Sequence, residues 1–140
     1  MLKILDRSSP RLCKVLEDIK NPDLLWTDFG LRSLAANSNF YQRYNTHEDP
    51  PYWRGSIWIN LNYLTLRGLY HYSTNPGRCH ELALSIYEEL RENVINNVFK
   101  VYERQGFIYE YYDDITGEGR GAHPFSGWSA LVVSIMAEKY

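Results

Sequence analysis

The residues best suited to chemistry lie between Gly106 and Trp128. One carboxylate, Glu110, sits among Tyr109, Tyr111 and Tyr112, and a loop carrying Gly117, Gly119, Gly121 and Gly127 follows. Glycines at this density let a backbone take positive φ and approach another group closely. Aromatic rings stack on the apolar face of a sugar, and a carboxylate binds hydroxyls or exchanges a proton. The stretch reads either as a sugar-handling surface or as an aromatic loop that closes a helical hairpin.

Further candidates lie outside this stretch and at its end. Tyr52, Trp53 and Arg54 follow Pro50 and Pro51 in a stiff loop. Here Trp53 offers a platform for a sugar ring, and Arg54 offers donors for a hydroxyl or a carboxylate. Packing of Trp53 under a rim of helices is the structural alternative. Asp28 and Arg32, with Gly30 between them, either pair with each other or contact sugar hydroxyls. Trp128 faces a pocket or the core, and His123 before Pro124 suits a supporting role. Asp113, Asp114, Thr116 and Glu118 crowd one turn. Their spacing does not fit the twelve-residue EF-hand loop, so solvated turn chemistry is expected. His47, His71, His80 and His123 show no metal-ligand spacing. No metal site and no cofactor are expected.

Helices must position these loops. Ser9-Pro10 is an N-cap followed by a favoured first helical residue, and Leu12, Val15, Leu16 and Ile19 form a one-sided stripe ending at Asn21-Pro22-Asp23. Residues 1–7 are short, mixed and unassigned. Residues 56–72 predict a helix apolar nearly all round, in which Asn60 and Asn62 need partners. Residues 78–103 predict a long amphipathic helix stopped by Gly106. Ser126 is expected to cap a last helix from Gly127 to about Glu138, again without a wet face. The order is outer, inner, outer, inner. Only the connection at 73–77 is short; those at 20–54 and 104–125 are long. Antiparallel neighbours alternate direction, so the Trp53 and Glu110 loops should meet at one end. The fold class is all-α: one arc, about two αα pairs, of a double ring of helices. Such an arc should expose apolar edges.

Composition narrows the function classes. Hydrophobic residues make up 44% of the 140 residues, enough for a core, and the net charge of −2 is mixed along the chain. That balance argues against nucleic acid and against an anionic membrane surface. No run of 18 apolar residues exists to span a membrane. Lys3, Asp6, Arg7 and Arg11 make residues 1–20 unlike a signal peptide, so any address to a secretory compartment is expected outside this chain. Cys13 and Cys79 do not define a disulfide framework, and both fall on predicted helices as single buried thiols. The aromatic share of 15% is high for a small helical domain and suits clefts for polyhydroxyl ligands.

Three segments carry a family resemblance. Residues 50–60, from Pro50-Pro51-Tyr52-Trp53-Arg54-Gly55 to Asn60, are one. Trp26-Thr27-Asp28-Phe29-Gly30-Leu31-Arg32-Ser33-Leu34 is the second, and Tyr109–Trp128 the third. Together they resemble glycoside hydrolase family 63, the processing α-glucosidases, over nearly the whole chain. The resemblance implies an (α/α)6 catalytic barrel in the endoplasmic reticulum. It implies inverting removal of the terminal α-1,2-linked glucose from N-linked glycans. Residues 1–140 would be a C-terminal portion of the catalytic domain, with the rest of the barrel and the glycan as partners. Glu110 would be the general base, and Tyr52, Trp53, Arg54, Asp28, Arg32 and Trp128 would bind substrate. The family's general acid lies in a motif like Ser-Gly-Leu-Asp-Asp-Tyr-Pro-Arg, which this chain lacks. Half of the catalytic pair is thus expected outside it, and the chain alone is expected to be inactive. A non-catalytic sugar-binding or protein-interaction module, and a trehalase-like or other α-glucosidase of the same architecture, are the competing readings.

Overall fold

The computed structural model describes residues 5–140; the first four residues of the unassigned segment 1–7 lie outside it. Four α-helices carry the described residues. Helix α1 spans Pro10–Lys20, with the Ser9 hydroxyl accepting from the Arg11 amide. Helix α2 spans Ile59–Ser73 and α3 spans His80–Gln105. Gly106, at φ 75°, ends α3 in the left-handed conformation that glycine adopts without a steric penalty. A 3-10 turn, Trp128–Ala130, leads into α4, Leu131–Met136.

Two helices depart from the sequence reading, each for a local reason. Helix α2 starts at Ile59 rather than at 56 because the Ile57 backbone is committed elsewhere. Its N–H donates to the Tyr112 carbonyl at 2.8 Å, and its carbonyl accepts from the Tyr112 N–H at 2.9 Å. The last α-helix is shorter at both ends than expected: Trp128–Ala130 is a 3-10 turn whose N-cap is Gly127 rather than Ser126, and Glu138, at φ 51°, turns the tail away after Met136.

Helix-rich architecture agrees with the all-α expectation, with two small hairpins added. Strands β1, Trp26–Thr27, and β2, Gly30–Leu31, pair antiparallel, as do β3, Tyr111–Tyr112, and β4, Gly119–Arg120. Isolated bridges join Ile57 to Arg32 on one side and to Tyr112 on the other. Backbone pairing therefore stitches two distant stretches of the α1–α2 connection to the connection that follows α3.

The core is one cluster drawn from every helix. Leu12 and Leu16 of α1, Leu66 and Leu69 of α2, Leu90 and Val94 of α3, and Val132 and Ile135 of α4 all belong to it. Burying each such side chain contributes about 1.5–3 kcal/mol. Asn62 is fully buried within α2, and its amide finds partners. It accepts from the Leu31 N–H at 2.8 Å and donates to the Leu31 and Trp58 carbonyls. The apolar edges expected of an arc are present: Leu61, Leu64 and Tyr70 of α2 and Val133 and Met136 of α4 are exposed. Phe99 and Tyr102 of α3 line an apolar groove with Val133 and Met136.

The cysteines correct the sequence reading. Cys79 is not inside a helix but caps α3, where α1 brings Cys13 to a Cα separation of 5.6 Å, and the two form a disulfide. The pairing joins residues 66 apart in sequence, so no local pattern announces it. Among the described residues, no helix is long and apolar enough to cross a membrane.

Candidate active site

The 50–58 connection, the β3–β4 hairpin and the turn before α4 converge on Glu110. Its carboxylate is half-buried and held from two sides. The Tyr52 hydroxyl donates to Oε1, and the Ala122 N–H donates to Oε2 at 3.1 Å. Its backbone is held as firmly. The N–H donates to the Ala122 carbonyl at 3.0 Å, while the carbonyl accepts from the Trp128 indole N–H at 2.8 Å and from the Ser129 hydroxyl at 3.1 Å. Both donors reaching the side chain are neutral, and Glu110 takes part in no ion pair among the described residues.

Gly121 makes room for this arrangement. It sits at φ +74°, and a Cβ added there would lie 2.6 Å from Glu110 Oε2 and 2.7 Å from the Tyr111 ring. Here glycine serves both the backbone conformation and the close approach.

Aromatic rings wall one side. Trp53 stacks on Trp58 with centroids 3.5 Å apart, and Trp58 stacks on Tyr111 at 4.8 Å. Tyr52 stands edge-on to all three, at 5.7, 4.7 and 5.4 Å, and Trp128 lies 6.1 Å from Trp53. Trp58 is fully buried whereas Trp53 is 43% exposed, so the stack rises from the core and ends in a ring open to solvent. An exposed ring on a rigid base suits stacking against a sugar face.

The tyrosines beside Glu110 stay protonated at neutral pH. Burial, together with the hydrogen bond and charge of Glu110, raises the Tyr52 pKa to about 12. Burial and the Glu110 charge also raise Tyr111, against an opposing pull from Arg120. Tyr52 is therefore the donor in its bond to Glu110, and the carboxylate is the acceptor.

Chemically, the arrangement is a carboxylate of fixed orientation beside an aromatic platform. A family model described as the glycosyl hydrolase family 63 C-terminal domain matches residues 1–138. The chain belongs to that family. It is 48% identical over 140 residues to "Alpha-glucosidase 2" of Arabidopsis thaliana and 49% identical over 140 residues to "Mannosyl-oligosaccharide glucosidase GCS1" of the same plant. Both matches cover 100% of this chain but only 18% and 16% of those relatives. The chain thus spans less than a fifth of the length of either. A crystal structure of an uncharacterized conserved protein from Thermus thermophilus is similar at a TM-score of 0.51 and 32% identity, over 76% of this chain and 22% of that one.

In this family 63 chain the proposed site residues divide into two groups. Glu110, Tyr52, Trp53 and Trp128 come together, from loops expected at one end. The other three are placed elsewhere. Asp28 is exposed in the β1–β2 turn. Arg54 donates to the Arg43 carbonyl at 2.8 Å and lies 5.9 Å from the Phe40 ring centre. Arg32 does not pair with Asp28. It meets Asp114 at 2.7 Å and donates to the Pro22 and Trp26 carbonyls. Asp114 also accepts from Tyr41 and Gln42. This corrects the expectation of solvated turn chemistry for Asp114, which is 3% exposed. Asp113 does perform that chemistry, accepting from the Ile115 and Thr116 amides at 2.9 Å each.

Trp58 and Tyr111 belong to the aromatic wall and were not among the proposed site residues. Trp58 reads in sequence as one more apolar residue of an inner helix. Its place as the N-cap of α2 was the available signal, hidden by the early start assigned to that helix.

Proposed function

We propose that this chain forms the general-base side of an inverting α-glucosidase active site, within one arc of an (α/α)6 barrel. The observation that carries the reading is Glu110. It is a carboxylate held from two sides by neutral donors beside a stacked, solvent-open tryptophan. A base that activates water must be ionised and aimed, and an inverting pair leaves about 6.5–9.5 Å between its carboxyl groups for that water. The partner acid would come from the remainder of the barrel. Family membership and the glucosidase names of the two Arabidopsis relatives support glucose removal from an oligosaccharide, and we take the substrate to be a terminal α-1,2-linked glucose on an N-linked glycan. Trp53 would stack on the glucose, with Trp128 behind it. The Cys13–Cys79 bond suits an oxidising compartment such as the endoplasmic reticulum.

The test is Glu110→Gln in the complete enzyme. Glutamine keeps the size and most of the hydrogen bonds but takes up no proton. Turnover of a triglucosylated glycan should fall by about 10²–10⁴-fold, the usual loss for a positioned base, while binding of that glycan survives. A variant that keeps more than about a tenth of the wild-type kcat would sink the assignment. The 140-residue chain by itself, without the acid, should show no turnover.

A further inference from the structure

We propose that Tyr52 is a positioning residue for Glu110, acting on the reaction through that carboxylate rather than by contact with sugar. The inference rests on the reading of Glu110 as the general base. Three observations carry it. First, the Tyr52 hydroxyl is spent on Glu110 Oε1, and the Ala122 N–H holds the other oxygen at 3.1 Å. Two donors from different connections leave the carboxylate one orientation. Each oxygen keeps a second lone pair for a water. Second, the Tyr52 ring packs perpendicular to the Trp53–Trp58–Tyr111 column, at interplanar angles of 81°, 82° and 88°. Contact with all three rings of the column holds its hydroxyl on the carboxylate. Third, Trp53 is the exposed end of the stack while Tyr52 lies against its edge, so the neighbouring aromatic presents the open face.

A donor fixed on the carboxylate holds the base in the orientation needed to take a proton from water. A misplaced catalytic group costs up to about 10²-fold in rate. The raised pKa of Tyr52 keeps it a donor throughout the working pH range.

The experiment compares Tyr52→Phe with the wild type in the complete enzyme, using a triglucosylated glycan and following kcat and KM separately. The kcat should fall about 10- to 100-fold, with KM within about twofold. A KM raised tenfold with kcat unmoved would show that Tyr52 binds sugar and would overturn the proposal. Replacement of Tyr52 by 3-fluorotyrosine guards against a folding failure, because the ring and the donating hydroxyl are both kept. It should recover most of the kcat that Tyr52→Phe loses, and a fluorotyrosine enzyme as slow as Tyr52→Phe overturns the proposal as well. Glu110→Gln separates the two assignments. If it stays active, the base reading fails and this inference fails with it. If it is inactive while Tyr52→Phe leaves kcat alone, only this inference fails.

Discussion

Glu110 and Glu138 each accept a hydrogen bond from a tyrosine within a cluster of aromatic rings, yet the two regions do opposite things. Around Glu138, Tyr87 donates at 2.7 Å and also bonds to Tyr140 at 3.1 Å, while Tyr63 donates to the Lys139 carbonyl at 3.0 Å. Arg91 lies 3.9 Å from Glu138 and donates to the Ile135 and Met136 carbonyls. A cation partly neutralises the carboxylate, and every contact pins the tail to α2 and α3. Around Glu110 no cation is paired with the carboxylate among the described residues, both oxygens accept from neutral groups, and one side is an open tryptophan. A tyrosine–carboxylate pair is therefore not a site by itself. What separates the two is the charge left uncompensated and the space left beside it. Asp114 makes the same point: it accepts from Tyr41, but Arg32 consumes its charge.

The largest effect that tests this contrast comes from matched substitutions. Glu110→Gln should cost about 10²–10⁴-fold in kcat with little change in stability. Glu138→Gln should leave kcat within about twofold and stability within about 0.5 kcal/mol, as for an ordinary surface change. Steady-state turnover and denaturant unfolding of both variants decide it. Equal losses of activity would erase the distinction between a catalytic and a structural carboxylate.

Gly121→Ala gives the next largest effect. The added Cβ would stand 2.6 Å from Glu110 Oε2 at a backbone φ of +74°. The left-handed backbone alone costs about 1–2 kcal/mol for a non-glycine residue. The displaced carboxylate should lower kcat about tenfold or more, within the range for a misplaced group. The expected signature is a lower unfolding midpoint together with a loss in kcat, whereas Glu110→Gln shows only the second. An unchanged kcat would mean that the orientation of Glu110 is unimportant.

How much of this was legible in the sequence follows from range. Ser9-Pro10 and Gly106 act within one helical turn, so the start of α1 and the end of α3 could be read directly. The meeting of the Trp53 and Glu110 loops followed from the alternation of long and short connections, which topology alone constrains. The early start given to α2 failed because the Ile57 ladder to Tyr112 joins residues 55 positions apart, and apolar periodicity cannot register it. The disulfide, the burial of Asp114 and the bond from Tyr52 to Glu110 failed to appear for the same reason. Each needs a partner that sequence spacing does not name. Glu110 itself stood out through its company of tyrosines, although Glu138 keeps similar company without forming such a site.

The smallest expected effect lies in the structural cluster and concerns Tyr87→Phe. The hydroxyl is buried and bonded to both Tyr140 and Glu138, so its loss should lower stability at neutral pH by about 0.5–1.5 kcal/mol and leave kcat unchanged. Its dependence on pH makes the test sharper. Burial first, then the hydrogen bonds with Tyr140 and Glu138, drive the Tyr87 pKa well above the ordinary tyrosine value. In the unfolded chain the same hydroxyl ionises near pH 10. Below about pH 10 the contribution of the bond is complete. Above it the unfolded state releases a proton that the folded state keeps, so stability falls by up to about 1.4 kcal/mol per pH unit for this group. Phenylalanine has no proton to release and removes that share of the slope. Urea unfolding of both proteins at about pH 8 and about pH 11, on either side of the unfolded tyrosine value, should therefore show a gap at the lower pH that closes at the higher one. A gap that stays constant would mean that Tyr87 is not held protonated against Glu138, and the tail cluster would lose its claim to be a lock.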